Sequence, residues 1–218
     1  MAAFDITTAE DSGSVCYVLL PEGAVSDMAR WAEKASARFN MNMVLISGMD
    51  WNRDMSPWSA AGVMKDRKNF SGGAAMYLKE LTEDLIPNVE QWLKLKTPKR
   101  YLLGISLSGL FAIWSLSRYS GFIGIGSVSG SLWFDGFTEW THKTPFFGNA
   151  RLYLSLGAKE KNAPDRRMAG VEDATREIAG LLEAKGFEVT FEMVPGTHFS
   201  PAAPRFERAL ETLLSSNG

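Results

Sequence analysis

Residues 100–118 read RYLLGISLSGLFAIWSLSR. An apolar run leads to Ser106, and Leu110, Phe111, Ile113, Trp114 and Leu116 then follow at helical spacing. This is the pattern of a buried strand, a turn with almost no room, and a buried helix. On such a turn a serine hydroxyl is pushed out beyond the carboxyl edge of a sheet. The residues two before and two after must be small, because the strained bend presses their backbones on neighbouring elements. Gly104 and Ser108 meet that requirement, although Ser108 stands where the motif G-x-S-x-G has its second glycine. Residues 127–131, SVSGS, match the same loose pattern. No amphipathic helix follows them, so they read as structural. With Ser108 as nucleophile, Leu110 would fall on a position that needs a small side chain. Ser106 is therefore the candidate nucleophile.

Working outward, continuous apolar runs at residues 15–20 (VCYVLL), 43–47 (MVLIS), 122–128, 151–156 (RLYLSL) and 189–194 (VTFEMV) predict buried strands. Between them lie helical stripes: Met28, Trp31, Ala35 and Phe39; Leu78, Leu81, Leu85, Val89 and Trp92, with a kink at Pro87; Val171, Ala174, Ile178, Leu181 and Leu182; and finally Phe206, Leu210, Leu213 and Leu214. Residues 49–73, polar, aromatic and rich in turn formers, predict a long ordered loop of the kind that often carries function. Buried strands separated by helices of crossover length imply an α/β fold with a mostly parallel sheet covered on both faces. No repeat or linker divides the chain, so residues 1–218 are read as one domain.

Composition bounds the function. With 218 residues, 45% of them hydrophobic, the chain can bury a substantial core. A net charge of −2 gives no electrostatic footprint for nucleic acid or an anionic membrane. The amino-terminal stretch MAAFDITTAEDSGS lacks the basic and apolar regions of a signal peptide, and the uncharged run from Tyr101 to Ser117 is too short and too broken to span a membrane. Cys16 is the sole cysteine, which excludes an internal disulfide. These features lead us to expect a cytoplasmic protein.

Chemistry in such a sheet collects beyond the carboxyl ends of the strands. A serine hydroxyl is a poor nucleophile at neutral pH and needs a base to take its proton. Of the two histidines, His198 follows the last strand in VPGTHFSP, whereas His142 has no strand before it. A carboxylate must then orient the imidazole. Glu160, in GAKEKNAPDRR after the RLYLSL strand, is the first choice, with Asp165 and Asp135 as the further candidates. Two backbone N–H donors for a developing oxyanion, worth about 3 to 4 kcal/mol each, are expected from Leu107 and from Trp51 or its neighbour Asp50.

Taken together, GISLSGL, SVSGSLWF, LSLGAKE, PGTHF and DWNRDMSPW with the following FSGGA resemble the putative esterase group of the α/β-hydrolase superfamily, which includes siderophore esterases and S-formylglutathione hydrolases. The resemblance covers most of the chain from Met43 to Phe199. It implies an α/β-hydrolase fold and a serine hydrolase of small-molecule esters, with Ser106, Glu160 and His198 on the triad positions and neither metal nor cofactor. The chain departs from the family pattern at Ser108, and some siderophore esterases work with a weak or absent acid. Between residues 128 and 151 there is room for a loop but not for a lid domain. Of the aromatic residues on the expected active-site side, Trp51, Trp58, Trp133, Phe134 and Phe137, Trp133 is the first choice to line a substrate pocket. Arg53 and Asp54 read equally as a steering or a loop-bracing pair. A thioesterase or acyltransferase on the same residues, or a binding protein on the same fold, are the alternatives to ester hydrolysis.

Overall fold

The computed structural model describes residues 3–63 and 68–215. Its strands are β1 (Ala3–Thr7), β2 (Ser14–Leu19), β3 (Asn42–Ser47), β4 (Ser59–Ala60), β5 (Phe70–Ser71), β6 (Lys99–Ile105), β7 (Phe122–Val128), β8 (Arg151–Gly157) and β9 (Glu188–Val194). Seven of them form one sheet in the order β1-β3-β2-β6-β7-β8-β9, while β4 and β5 make a small antiparallel pair of their own. β1 runs antiparallel to β3, and every other neighbour in the large sheet is parallel. The continuous apolar runs become its inner strands because both faces are covered; all of β3 is buried.

The helices are α1 (Val25–Phe39), α2 (Trp51–Asp54), α3 (Ala74–Glu80), α4 (Ile86–Trp92), α5 (Leu107–Ser115), α6 (Phe137–Lys143), α7 (Arg166–Ala169), α8 (Val171–Ala184) and α9 (Ala202–Leu214). α1 and α9 cover one face, where Trp31 and Phe206 pack on Val18, Met43, Leu103 and Tyr153. The other face is covered by α3, α4, α5, α6 and α8, with Phe111 and Trp114 at its centre. Each large side chain buried this way contributes about 1.5–3 kcal/mol. Among the described residues, no helix is long and apolar enough to cross a membrane.

Chain order reverses beside β2: the path leaves β2 for β3 on one side, then crosses back to β6 on the other. Ligand clefts open at such a reversal, outside the carboxyl ends of the strands. Ser106 follows directly on β6 there, and Pro21, just past β2, lines the same opening.

Four sequence expectations need correction. β1 was not foreseen, since AFDIT is half exposed and lacks a long apolar run. Residues 49–73 are not one loop, because they hold the α2 turn and the β4–β5 pair; residues 64–67 of that stretch, like residues 1–2 and 216–218, lie outside the described residues. α6 forms where an aromatic connection was expected, and it carries His142 on its exposed side. The helix broken at Pro87 is irregular one turn earlier, as a π turn at Leu81–Leu85. That wider turn changes the direction in which α4 faces. The buried side continues through Ile86, Val89 and Glu90, and Trp92, expected on the stripe, is left exposed.

Candidate active site

With β6 ending at Ile105 and α5 beginning at Leu107, one residue has to reverse the chain. Ser106 does so at φ 58° and ψ −122°, a conformation that costs a non-glycine residue about 1–3 kcal/mol. The surroundings impose it. The Ser106 N–H donates to the Val128 carbonyl at 3.0 Å, and the Ser106 carbonyl accepts from Gly109 N–H at 3.0 Å and Ser131 N–H at 2.9 Å. Space is minimal on both sides of the bend. A β-carbon at position 104 would come within 2.2 Å of the Ser108 carbonyl oxygen, and one at 109 within 2.9 Å of the Gly130 Cα. Ser108 itself is fully buried, and its hydroxyl donates to the Leu19 carbonyl at 2.9 Å while accepting from Ile105 N–H at 2.9 Å. The residue that departs from G-x-S-x-G thus ties the bend to the end of β2.

The turn after β9 carries His198 to this serine. Its Nε2 lies 3.0 Å from Ser106 Oγ, and its Nδ1 lies 2.9 Å from Glu160 Oε2. Glu160 opens a 3₁₀ turn just past β8 and is buried. Its other oxygen, Oε1, accepts from Gly157 N–H at 2.6 Å and from the Ser129 hydroxyl. Burial pushes this carboxyl up, but the bonds from His198, Ser129 and Gly157 outweigh it and hold Glu160 below the usual carboxylate range. An imidazole so placed can take a proton from the serine oxygen while the carboxylate keeps its other nitrogen protonated.

The two loops that supply Glu160 and His198 are joined backbone to backbone. Ala158 N–H donates to the Val194 carbonyl at 2.8 Å and Lys159 N–H to the Gly196 carbonyl at 3.0 Å. A β-carbon on Gly157 would stand 2.8 Å from that same Gly196 oxygen.

The other candidate acids are engaged elsewhere. Asp165 caps α7, accepting from Arg167 N–H at 2.9 Å and Met168 N–H at 3.2 Å. Asp135 accepts from Arg167 Nη1 at 2.7 Å. Leu107 and Trp51 supply the first N–H groups of α5 and α2, and among the described residues neither N–H has an acceptor. The α2 turn is braced from within: Asp50 N–H donates to Asp54 Oδ2 at 2.8 Å, and Arg53 Nε donates to Asp54 Oδ1 at 2.7 Å. Arg53 and Asp54 are therefore a bracing pair.

Ser106, Leu107, Trp51, His198 and Trp133 line one cavity of about 280 Å³. A second, of about 470 Å³, adjoins it across a shared wall of Val63, Trp133, Met168, His198 and Phe199. Trp58, Phe134 and Phe137 instead pack on one another beneath this surface.

Three residues at the site were not foreseen. Ser131 Oγ lies 3.5 Å from Ser106 Oγ. Ser129 is buried with a backbone φ of 45°. Arg205 lies buried on α9, its Nη2 donating to Ser129 Oγ and to Glu160 Oε1, the latter at 3.3 Å. Sequence held a signal for the last: Arg205 falls on the apolar stripe of its helix, beside Phe206 and one turn before Ala209.

The model of the putative esterase family matches residues 17–212. The uncharacterized protein YbbA of Bacillus subtilis (strain 168) is 30% identical over 221 residues, an alignment covering 95% of this chain and 88% of YbbA. Among solved structures, an IroE-like serine hydrolase from Shewanella oneidensis superposes with a TM-score of 0.81 at 20% identity, covering 96% of this chain and 74% of that one. The siderophore hydrolase EstA from Aspergillus nidulans superposes with a TM-score of 0.72 at 18% identity, covering 99% and 91%. These structural likenesses carry the α/β-hydrolase fold, and the family match extends over nearly the whole sheet and the residues gathered at its carboxyl edge. The chain belongs to the putative esterase family and is a hydrolase acting on esters.

Proposed function

We propose that the enzyme cleaves small carboxylic esters through an acyl-Ser106 intermediate, with His198 as general base and Glu160 as the acid that orients it. The observation that carries this reading is the unbroken hydrogen-bonded path from Ser106 Oγ through both nitrogens of His198 to Glu160 Oε2. Ser106 Oγ attacks the ester carbonyl carbon and gives its proton to His198 Nε2. The resulting oxyanion is received by the N–H groups of Leu107 and Trp51. Collapse breaks the bond to the alcohol, which leaves with the proton from His198. Water then repeats the sequence on the acyl-enzyme and releases the carboxylic acid.

Glu160, held ionised, stabilises the imidazolium formed in each half. A cavity of about 280 Å³ at the serine, near the lower end of the range for small-molecule pockets, supports a short acyl group with Trp133 as one wall. The single, buried cysteine supports a cytoplasmic setting. Treatment with a fluorophosphonate followed by intact mass measurement tests the proposal. One phosphonyl adduct is expected on the wild type and none on Ser106→Ala; labelling that persists in the variant refutes the assignment.

A further inference from the structure

Arg205 poses a question the ester chemistry leaves open. Its side chain is almost wholly inaccessible, at 5% exposure, in the layer between α9 and the carboxyl end of the sheet. Burying a guanidinium is costly unless its donors are satisfied. Here Nη2 is occupied by Ser129 and Glu160, while Nε and Nη1 are buried without a hydrogen-bond partner among the described residues. Its one ion pair there is with Glu160, itself only 6% exposed. An aliphatic side chain on this helix stripe would serve packing better, so the charge needs a reason tied to its neighbour. That neighbour is the carboxylate bonded to His198.

We propose that Arg205 is a positioning residue for the acyl-transfer site, fixing Glu160 Oε1 so that Oε2 faces His198. The proposal rests on the triad reading above. The placement follows from the geometry. The Glu160 carboxylate is gripped at Oε1 by Gly157 N–H, the Ser129 hydroxyl and Arg205, which leaves Oε2 as the oxygen free to meet the imidazole. With Arg205 removed, Oε1 loses a charge-assisted hydrogen bond and, among the described residues, is held by neutral donors alone.

The other charged groups around His198 are Lys68 in the first cavity and Lys159 and Asp165 in the second. They lie in solvent-open cavities, where water screens them, whereas Arg205 acts through a buried bond. Ser129 completes the device by bridging Arg205 and Glu160.

The test is the separate measurement of kcat and KM for p-nitrophenyl acetate in Arg205→Gln and Arg205→Lys, with fluorophosphonate labelling run alongside. Loss of the guanidinium should reduce kcat roughly tenfold and leave KM nearly unchanged. Lysine keeps a cationic donor and should restore kcat to within about threefold of the wild type. An undiminished kcat in the glutamine variant overturns the proposal. So does a kcat in the folded lysine variant that falls about tenfold or more, roughly the full loss expected without the cation, which remains decisive if the glutamine variant does not fold. Failure of wild-type labelling at Ser106 would instead remove the triad reading, so the two failures are distinguishable.

Discussion

Gly104 and Ser108 are pressed together so closely that a β-carbon on the first would stand 2.2 Å from the carbonyl oxygen of the second. The contact is backbone against backbone, so no side-chain rotation relieves it. Gly104→Ala should lower stability by about 3 kcal/mol or more. Ser108→Ala, which loses the bond to the Leu19 carbonyl, should cost only about 1 kcal/mol. Urea unfolding of the two variants checks the ranking; equal losses would show that the bend can relax around an added methyl group.

The backbone of Ser106 occupies a region natural to glycine. Ser106→Gly should therefore abolish ester hydrolysis and raise stability by about 1 kcal/mol, the relief of strain exceeding the added freedom of the unfolded chain. In a domain of this size that is a rise of about 2–4 °C in Tm, which calorimetry reads directly.

Glu160→Gln keeps the shape of the acid and removes its charge. Turnover should fall by about 10³–10⁴-fold with KM little changed. The same variant has a signature in stability. In the folded state Glu160 lies below its unfolded value near 4.3. Its contribution is therefore complete above that pH and is lost as pH falls through the folded value. Unfolding midpoints measured between about pH 5 and pH 3 should drop more gradually in the variant than in the wild type.

Trp133 forms the wall between the two cavities and packs on Phe70 and Phe134. Trp133→Ala should raise KM for short acyl esters about tenfold while leaving kcat within about twofold, the mark of lost binding common to ground and transition states. A series of acyl chain lengths should show the variant relatively better on the longer ones. A kcat that falls with KM unchanged would assign Trp133 to the reacting centre instead.

What could be read from the chain depended on whether local pattern or distant contact fixed each feature. The strand, turn and helix around Ser106 announce themselves because burial makes both flanks apolar in their own periods. The placement of His198 beside Ser106 could be anticipated because only two histidines exist and one of them follows a strand. The choice of Glu160 over Asp165 was less legible, since it depends on which side chain reaches back to Gly157 and His198. β1 escaped because an edge strand need hide only part of itself. α6 escaped because it is short, starts at a left-handed Gly136 and is built of residues with weak helical preference. Arg205 stands on the apolar stripe of α9, but its pairing with Glu160 joins residues 45 positions apart and leaves no local pattern. Its burial follows from the seating of α9 against β7 and β8.

The seam between the loops that follow β8 and β9 has a consequence for protein engineering. Because Ala158 and Lys159 are laced to Val194 and Gly196, the loops that carry Glu160 and His198 are tied to each other, whereas Ser106 stands on a separate bend. A chimera that grafts only one of these loops from a relative would disturb both partners of the serine at once. Transplanting residues 157–200 as a single block should preserve their alignment, and new substrate preferences are better sought in the cavity walls than along this seam.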